Sequence, residues 1–211
     1  MSNLSASDYA YHSAEESHMH RHFVPPILRH LAGLGKVRIL DLGCGNGSLC
    51  GTLSAAGFEV VGVDVSEPGV TQARKGWPGI RFETLGVYDE PPPEFVEAFD
   101  VVVSTEVVEH LYAPRALPKL ISRVLKPGGM TMVTTPYHGY LKNLALSLFN
   151  KWDRHHDVFW DHGHIKFWSP QTLRKLFEDE GFVFESFEGL GRVPYLWMTM
   201  LMCFSKPTSP S

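Results

Sequence analysis

Short apolar runs rich in valine alternate with helix-like segments through most of this chain. The predicted strands lie at residues 37–41, 58–64, 80–84, 99–104 and 130–135. Helices are predicted at residues 48–56, 66–75, 114–125 and 170–180. This alternation is typical of βαβ units around a parallel sheet. The continuous β-branched runs indicate strands that are buried on both faces.

The C-terminal region departs from this alternation. Two more strands are predicted at residues 182–188 and 195–204, with no helix between them that could cross over the sheet. They should therefore pair as an antiparallel hairpin. We predict an α/β fold with a doubly wound sheet of seven strands, mostly parallel, that ends in this hairpin.

Three segments depart from the strand–helix alternation; two flank the main domain, which we place at residues 36–205, and one lies within it. Residues 1–35 form a polar, histidine-rich stretch that predicts a helical arm or lid, and residues 206–211 a disordered tail. Residues 136–168 form a long insertion within the domain. Its apolar residues recur at helical spacing, which predicts a short amphipathic helix; they are Leu141, Leu144, Ala145 and Leu148.

Composition limits the classes of function. The chain has 211 residues and a formal net charge of -4, so no general attraction to nucleic acid or to an anionic membrane is expected. Its three cysteines do not make a disulfide framework and predict free thiols in a reducing compartment. The longest apolar stretch, residues 195–204, is shorter than the ~20 residues of a membrane helix. We predict a cytoplasmic protein without membrane or nucleic-acid partners.

The glycine-rich turn DLGCGNG, residues 41–47, indicates a ligand site where a strand passes into a helix. A dinucleotide fingerprint would carry Gly or Ala where this chain has Ser48, and Asp41 would repel a diphosphate. A ligand with an ammonium or sulfonium group suits that carboxylate better. Asp64 ends the next strand, where an acid can accept both hydroxyls of a ribose.

Four sequence motifs and the closing strand pair give the chain a resemblance to a known family. The motifs are ILDLGCGNG (39–47), VVGVD (60–64), FDVVVSTEVVEHL (99–111) and LKPGG (125–129). Together they resemble class I S-adenosylmethionine-dependent methyltransferases over roughly residues 35 to 205. The resemblance implies a Rossmann-like sheet, S-adenosylmethionine as cofactor and S-adenosylhomocysteine as product.

The resemblance also implies roles for individual residues. Asp41 would hold the amino group of the methionine moiety, and Asp64 the ribose hydroxyls. Val87, Tyr88 or Asp89, after the third strand, would lie by the adenine. Thr105 and Glu106, after the fourth strand, would face the methyl group. The full set implied for the cofactor is Asp41, Gly43, Cys44, Gly45, Asp64, Val65, Val87, Tyr88, Thr105 and Glu106.

The stretch STEVVEHL, residues 104–111, supports three interpretations. In the first, Glu106 contacts the cofactor, while Glu109 and His110 orient loops and cap the helix that starts near Pro114. In the second, the stretch forms a divalent metal site. In the third, His110 is a metal-free general base. If residues 106–110 formed one helical turn, all three side chains could point in one direction.

The metal interpretation rests on a further resemblance. Glu-x-x-Glu-His resembles the metal-ligand motif of small-RNA 2′-O-methyltransferases and occurs in ubiquinone-biosynthesis O-methyltransferases, and a later histidine completes the set. Here that set would be Glu106, Glu109, His110 and His164, which suits Mg²⁺, Mn²⁺ or Zn²⁺. Such a metal would lower the pKa of a bound hydroxyl.

The insertion at 136–168 is rich in aromatic residues and histidines, which is typical of a small-molecule site. We interpret it as a substrate lid. His138 directly follows the fifth strand, so we predict a catalytic role for it beside Glu106 and His110. The predicted function is methyl transfer to a small molecule, at oxygen. The alternatives are metal-dependent 2′-O-methylation of an RNA terminus or another diol, and a non-catalytic cofactor-binding regulator.

Overall fold

A seven-stranded sheet forms the centre of the molecule, in the order β3-β2-β1-β4-β5-β7-β6. The computed structural model describes residues 20–156, 159 and 163–208. The strands are β1 Arg38–Leu42, β2 Glu59–Asp64, β3 Arg81–Thr84, β4 Phe99–Thr105, β5 Leu125–Pro136, β6 Val183–Leu190 and β7 Thr199–Ser205.

Seven α-helices are present among the described residues. They are α1 His20–Leu31, α2 Ser48–Ala55, α3 Glu67–Gly76, α4 Ala116–Val124, α5 Tyr140–Leu148, α6 Trp152–His155 and α7 Pro170–Glu178. Local sequence explains where some of them begin. Ser66 caps α3, and Ser169 forms a capping box with Thr172 ahead of Pro170 at the start of α7.

Strand pairing confirms the predicted fold. Strands β1 to β5 pair in parallel, and β7 runs antiparallel to both β5 and β6. Asp41 of β1 lies beside Gly62 of β2 and Val103 of β4. The carboxyl ends of these three strands therefore share one edge of the sheet. The strand order reverses between β1 and β4, which is where ligands bind in such sheets.

The core has two layers, one on each face of the sheet. Ile39 packs in the layer that contains α1 and α2 residues, whereas its neighbour Leu40 packs in the layer of α4 and α7. Because successive strand residues point to opposite faces, both faces need apolar side chains. This explains the unbroken apolar runs that the sequence shows.

Two predicted strand boundaries are wrong. Strand β5 begins at Leu125 rather than at residue 130, because Leu125 already pairs with Phe99, ahead of a register shift after which Val101 pairs with Met130. Strand β7 begins at Thr199 rather than at residue 195. The backbone of Tyr195 has a φ of 65°, which is incompatible with an extended strand.

The predicted helix of the insertion is present as α5. Its leucines do not form the buried face: Leu141 and Leu148 are 48% and 72% exposed, and Leu144 is also exposed. The one residue of α5 that is buried is Lys142. Its Nζ lies 3.5 Å from the carbonyl oxygen of Met198, so the face of α5 that turns to the sheet edge carries a cation.

The two ends of the chain lie on the sheet where they are described. Helix α1 buries Phe23, Ile27 and Leu31, and residues 1–19 of the predicted arm lie outside the described residues. In the predicted tail, the Lys206 backbone pairs with Gly128 and Gly129, and residues 209–211 are likewise outside. None of the described helices has the length and apolar content to cross a membrane.

Candidate active site

The glycine-rich turn after β1 depends on left-handed backbone. Gly43, Gly45 and Gly47 have φ values of 88°, 52° and 76°, which side-chain-bearing residues rarely adopt. The amides of Gly43 and Cys44 donate to the Val63 carbonyl at 2.8 and 2.9 Å and tie the turn to β2. A Cβ on Gly43 would overlap Val107, so this glycine also lets the turn approach the residues after β4.

Asp64, at the end of β2, holds two neighbouring turns together. Its Oδ2 accepts from the Gly45 amide at 2.8 Å, and its Oδ1 accepts from the Ser66 amide at 2.7 Å. Burial raises the pKa of Asp64, and these backbone donors offset part of the rise. Each oxygen keeps a second lone pair, so the carboxylate can still accept hydrogen bonds from ligand hydroxyls.

Asp41 is a buried acid that the turn does not fully satisfy. The Cys50 thiol donates to Oδ2 at 3.1 Å, while Oδ1 is buried with no hydrogen-bond partner in the described part of the chain. Burial raises the pKa of Asp41 to about 7. A ligand ammonium group would supply the missing donor and favour the charged form. The residues of this turn therefore fit S-adenosylmethionine.

The other residues implied for the cofactor lie around the same edge. Cys44 is buried, Val87 is half-buried, and Val65 and Tyr88 are exposed. The Tyr88 hydroxyl accepts from the Ala113 amide at 3.1 Å, which places the ring over the loop after β4. Asp89 turns back into its own loop, where it accepts from the Gly86 amide at 2.7 Å.

Helix α1 brings His20 to this turn. The buried His20 ring lies 3.1 Å, by its Nε2, from the hydroxyl of Ser48, the first residue of α2. Sequence reasoning assigned no role to His20, since histidines crowd the N-terminal region and nothing in their spacing distinguishes this one.

Glu106 has a strained backbone and a carboxylate that points across the sheet. Its φ is 55°, a conformation that costs a non-glycine residue energy and is frequent at functional sites. Oε1 accepts from the hydroxyl of Thr134 on β5 at 2.9 Å and of Thr199 on β7 at 2.7 Å. Burial raises the pKa of Glu106, while the two threonine hydroxyls lower it. Thr105, the last residue of β4, is half-buried.

Residues 106–110 do not form one helical turn. The left-handed Glu106 interrupts the chain, and a short 3₁₀ turn covers only Val108–His110. The three side chains are therefore not aligned as a continuous α-helical turn would align them.

Glu109, His110 and His164 come together at the end of β4. Each offers one ligand atom, and these atoms all lie within 4.8 Å of one another; Glu106 is not a member of this group. The fully buried Glu109 accepts from the Thr135 hydroxyl at 2.9 Å through Oε2. Its Oε1 lies 3.9 Å from Nε2 of His164.

This group has the chemistry of a metal site. Burial and the nearby Glu106 hold the pKa of Glu109 well above its usual value, and a bound cation would favour the charged carboxylate. The Nδ1 of His110 lies 3.2 Å from the Gly163 carbonyl, a contact that orients the ring at the end of the insertion. One carboxylate with two imidazoles suits Zn²⁺, Mn²⁺ or Fe²⁺ better than Mg²⁺.

The same residues also orient the insertion. The Glu109 carbonyl accepts from the amides of Ile165 and Lys166, both at 3.0 Å. Glu109 can therefore orient the insertion through its backbone carbonyl and still offer its carboxylate to a metal.

His138 lies at the end of β5, buried among histidines of the insertion. Burial is the main cause that lowers the pKa of His138 to about 3, and the positive charge of Lys142 adds to it. An imidazole with so low a pKa is a weak base near neutral pH. The predicted catalytic role of His138 stays a prediction, and this low pKa would suit a neutral imidazole rather than a proton acceptor.

Lys142 is a site residue that the sequence did not reveal. Burial, together with the positive charge of Arg192, lowers the pKa of Lys142 to about 8, although Glu106 opposes the change. Lys142, Lys151 and Arg192 line a cavity of about 290 Å³ whose other walls are apolar. Helical lysines are ordinarily exposed, so no sequence pattern marked this one.

Comparisons with known proteins identify the family of this chain. The profile of a family described as a methyltransferase domain matches residues 15–186. The ubiquinone biosynthesis O-methyltransferase of Bradyrhizobium diazoefficiens is 32% identical over 80% of this chain and 67% of its own length. That of Sinorhizobium medicae is 36% identical over 54% of this chain and 46% of its own. The chain thus spans about half to two thirds of these relatives.

Solved structures share the fold. The PH0226 protein of Pyrococcus horikoshii superposes with a TM-score of 0.68 at 21% identity, over 87% of each chain. The family profile covers most of the described domain, including the glycine-rich turn and the stretch after β4. The chain therefore belongs to the methyltransferase domain family, as the resemblance of its motifs to class I S-adenosylmethionine-dependent methyltransferases predicted.

Proposed function

We propose that this protein transfers a methyl group from S-adenosylmethionine to a hydroxyl group of a small molecule. The observation that carries the proposal is the position of Glu109, His110 and His164. They gather at the carboxyl end of β4, the strand beside β1, whose own carboxyl end bears the glycine-rich turn. A group that can activate a hydroxyl thus lies at the same sheet edge as the turn that fits the cofactor.

The cofactor would supply an electrophilic methyl group on a sulfonium. Asp41 would hold its ammonium group and Asp64 its ribose hydroxyls, while Gly43 and Gly45 let the backbone approach. Val65, Val87, Tyr88, Cys44 and Thr105 would surround the remaining parts. Most of this turn is fixed by backbone hydrogen bonds before any ligand arrives, which favours correct positioning for an in-line displacement.

The acceptor hydroxyl must lose its proton as the new bond forms. A divalent cation held by Glu109, His110 and His164 would lower the pKa of that hydroxyl toward neutral values. Glu106 supports this edge by joining β5 to β7 through Thr134 and Thr199. Its carboxylate also partly compensates the positive charge of Lys142.

The insertion 136–168 would serve as the lid over the acceptor. The cavity between α5 and residues 192–196 has largely apolar walls and three cations in its lining, the buried Lys142 and the exposed Lys151 and Arg192. It suits an acceptor with a hydrocarbon part and an anionic or electron-rich group. The ubiquinone-biosynthesis relatives, named for methylation at oxygen, support a hydroxyl acceptor of this kind.

Two further features support the predicted cellular compartment and the small-molecule acceptor. The three cysteines are free thiols, as expected in the reducing cytoplasm that we infer for the protein. The net charge of -4 does not favour the RNA alternative, because RNA binding is driven largely by basic surfaces.

A methyl-transfer assay tests the proposal. Full-length protein is incubated with methyl-labelled S-adenosylmethionine and a panel of hydroxylated aromatic acceptors, with and without a chelator. We expect labelled methyl ethers that disappear with chelator and return with Mn²⁺ or Zn²⁺. Glu109→Gln should lower the rate at least about 100-fold, since a metal ligand is lost while the amide keeps the shape of the side chain.

The outcomes separate the parts of the proposal. Transfer that is insensitive to chelator would overturn the metal but keep the methyltransferase. Binding of S-adenosylhomocysteine without transfer to any acceptor in the panel would instead support the non-catalytic alternative.

A further inference from the structure

A second group of histidines lies apart from the glutamate-containing cluster. His138 follows β5, His155 ends α6, and His156 comes next. One ring nitrogen of each lies within 4.8 Å of one ring nitrogen of the others. Their ring centroids are 5.7, 5.4 and 4.7 Å apart. The fold thus brings the imidazole of His138 close to those of the adjacent pair His155 and His156.

The rings of this group are held in place but not satisfied. His156 stacks on Trp152 at 5.0 Å, and Phe167 packs edge-on against both His138 and His156. His138 is 6% exposed; the Asn143 side chain lies near its ring, but Nδ1 makes no hydrogen bond of good geometry within the described part of the chain. Nε2 of His156 likewise has no hydrogen-bond partner within residues 20–156, 159 and 163–208. Buried polar atoms without partners are rare in folded proteins, which points to a missing ligand.

We propose that His138, His155 and His156 form a binding site for a divalent transition metal such as Zn²⁺, which fastens α6 of the insertion to strand β5. Three imidazoles are the donor set of several zinc sites that keep an open fourth position. Zn²⁺, Co²⁺, Ni²⁺ and Cu²⁺ favour imidazole, whereas Mg²⁺ and Ca²⁺ favour oxygen.

The distances allow this coordination. Tetrahedral ligands at Zn–N distances of about 2.0–2.1 Å place their nitrogens about 3.3 Å apart. The observed limit of 4.8 Å therefore requires the rings to close by about 1.5 Å at most. His155 and His156 lie in and beside a four-residue helix, a small element that can move this far.

The surrounding charges set the strength of the site. Lys142 and Arg192 both face this region and disfavour a cation. The lowered pKa values keep the imidazoles uncharged at neutral pH, as metal ligands must be, so binding displaces no proton from them. His164 of the other cluster is near enough to interact electrostatically with His155.

The site would make closure of the insertion depend on a metal. His138 belongs to the sheet edge, whereas His155 and His156 belong to the insertion, so one ion would join a fixed part of the fold to the proposed lid. This role differs from hydroxyl activation at Glu109, and it does not require methyl transfer.

Cobalt binding tests the site with a readout that is independent of activity. The metal-free protein is titrated with Co²⁺, and visible d–d absorption reports nitrogen coordination in a low-symmetry site. The variant His155→Asn with His156→Asn should lose this signal from the site and bind Zn²⁺ at least about 100-fold more weakly there. The matched variant His110→Asn with His164→Asn, which alters the other cluster, should keep it.

Two more measurements complete the test. Zn²⁺ should slow proteolysis within the insertion in the wild type and not in the His155/His156 variant. A pair in the arm, His22→Asn with His30→Asn, controls for adventitious binding, and metal-free melting curves control for folding. The proposal is overturned if the His155/His156 variant folds and binds Co²⁺ as the wild type does, or if the arm variant alone removes the signal.

Discussion

The two sides of the carboxyl edge of the sheet satisfy their polar groups in different ways. On the cofactor side, Asp64 and the glycine-rich turn are joined by backbone hydrogen bonds of 2.7 to 2.9 Å. On the acceptor side, Glu109 and His138 each keep a buried polar atom without a partner in the described residues. Lys142 is buried there as well.

This difference separates a preformed site from one that needs a ligand to complete it. Where backbone donors satisfy a carboxylate, the protein holds its geometry unaided. Where buried polar atoms lack partners, a metal, an acceptor or a change of conformation must compensate them. The cofactor side should therefore tolerate the absence of its ligand better than the acceptor side does.

Removal of the Asp64 carboxylate is the strongest test of the preformed side. Asp64→Ala should weaken S-adenosylhomocysteine binding by at least about 100-fold, or about 3 kcal/mol, because hydrogen bonds to a charged group contribute about 1.5–3 kcal/mol each. The Gly45 and Ser66 amides also lose their acceptor, so the turn should loosen. Calorimetric titration measures the affinity.

The control for this variant lies on the same strand. Glu59→Ala, at the opposite end of β2 and exposed, should leave the affinity unchanged. If Asp64→Ala binds the ligand within threefold of the wild type, the preformed carboxylate does not hold the cofactor, and the contrast between the two sides is lost.

The preformed side is also the side that could be predicted from sequence. The glycines at 43, 45 and 47 and the acids that end β1 and β2 follow a local pattern, since strand, turn and helix are contiguous. The parallel order and the final hairpin followed from the same rhythm of apolar runs. The acceptor side depends on contacts between distant segments, such as His138 with His156 or Lys142 with Met198. No spacing encodes them.

The errors have the same physical origin. Leucine spacing predicted the presence of α5, but its orientation depends on which surface it meets, and that surface takes Lys142 instead of the leucines. Likewise, the motif after β4 suggested a helical turn that the left-handed Glu106 breaks. Tertiary contacts overrode local preference at both places.

Asp41 is the exception on the preformed side, and its titration can sharpen the comparison. Its pKa of about 7 means that the free protein holds this proton up to neutral pH. A bound ammonium favours the carboxylate, so binding releases the proton. The affinity for S-adenosylhomocysteine should rise about tenfold from pH 6 to pH 8 and level off above.

Titrations in buffers of different ionisation enthalpy would count the released proton. Asp41→Asn should bind more weakly and lose the pH dependence between pH 6 and pH 8. An affinity that is flat with pH in the wild type would place Asp41 among the fully satisfied groups of the turn.

Lys142 allows the smallest and most direct test of the acceptor side. Lys142→Met should raise the free energy of unfolding by about 1 kcal/mol at pH 7, because burial lowers the lysine pKa from 10.5 to about 8 and the charged form is penalised. The folded protein releases this proton before the unfolded chain does. The gain should therefore shrink as the pH rises from about 8 to 10.5, because Lys142 of the folded wild type loses its charge over this range.

Chemical denaturation at several pH values measures the free energy of unfolding. Lys151→Met, which changes an exposed lysine of the same insertion, should leave it unchanged. A gain that is independent of pH would mean that methionine packs better and that the buried charge carries no penalty.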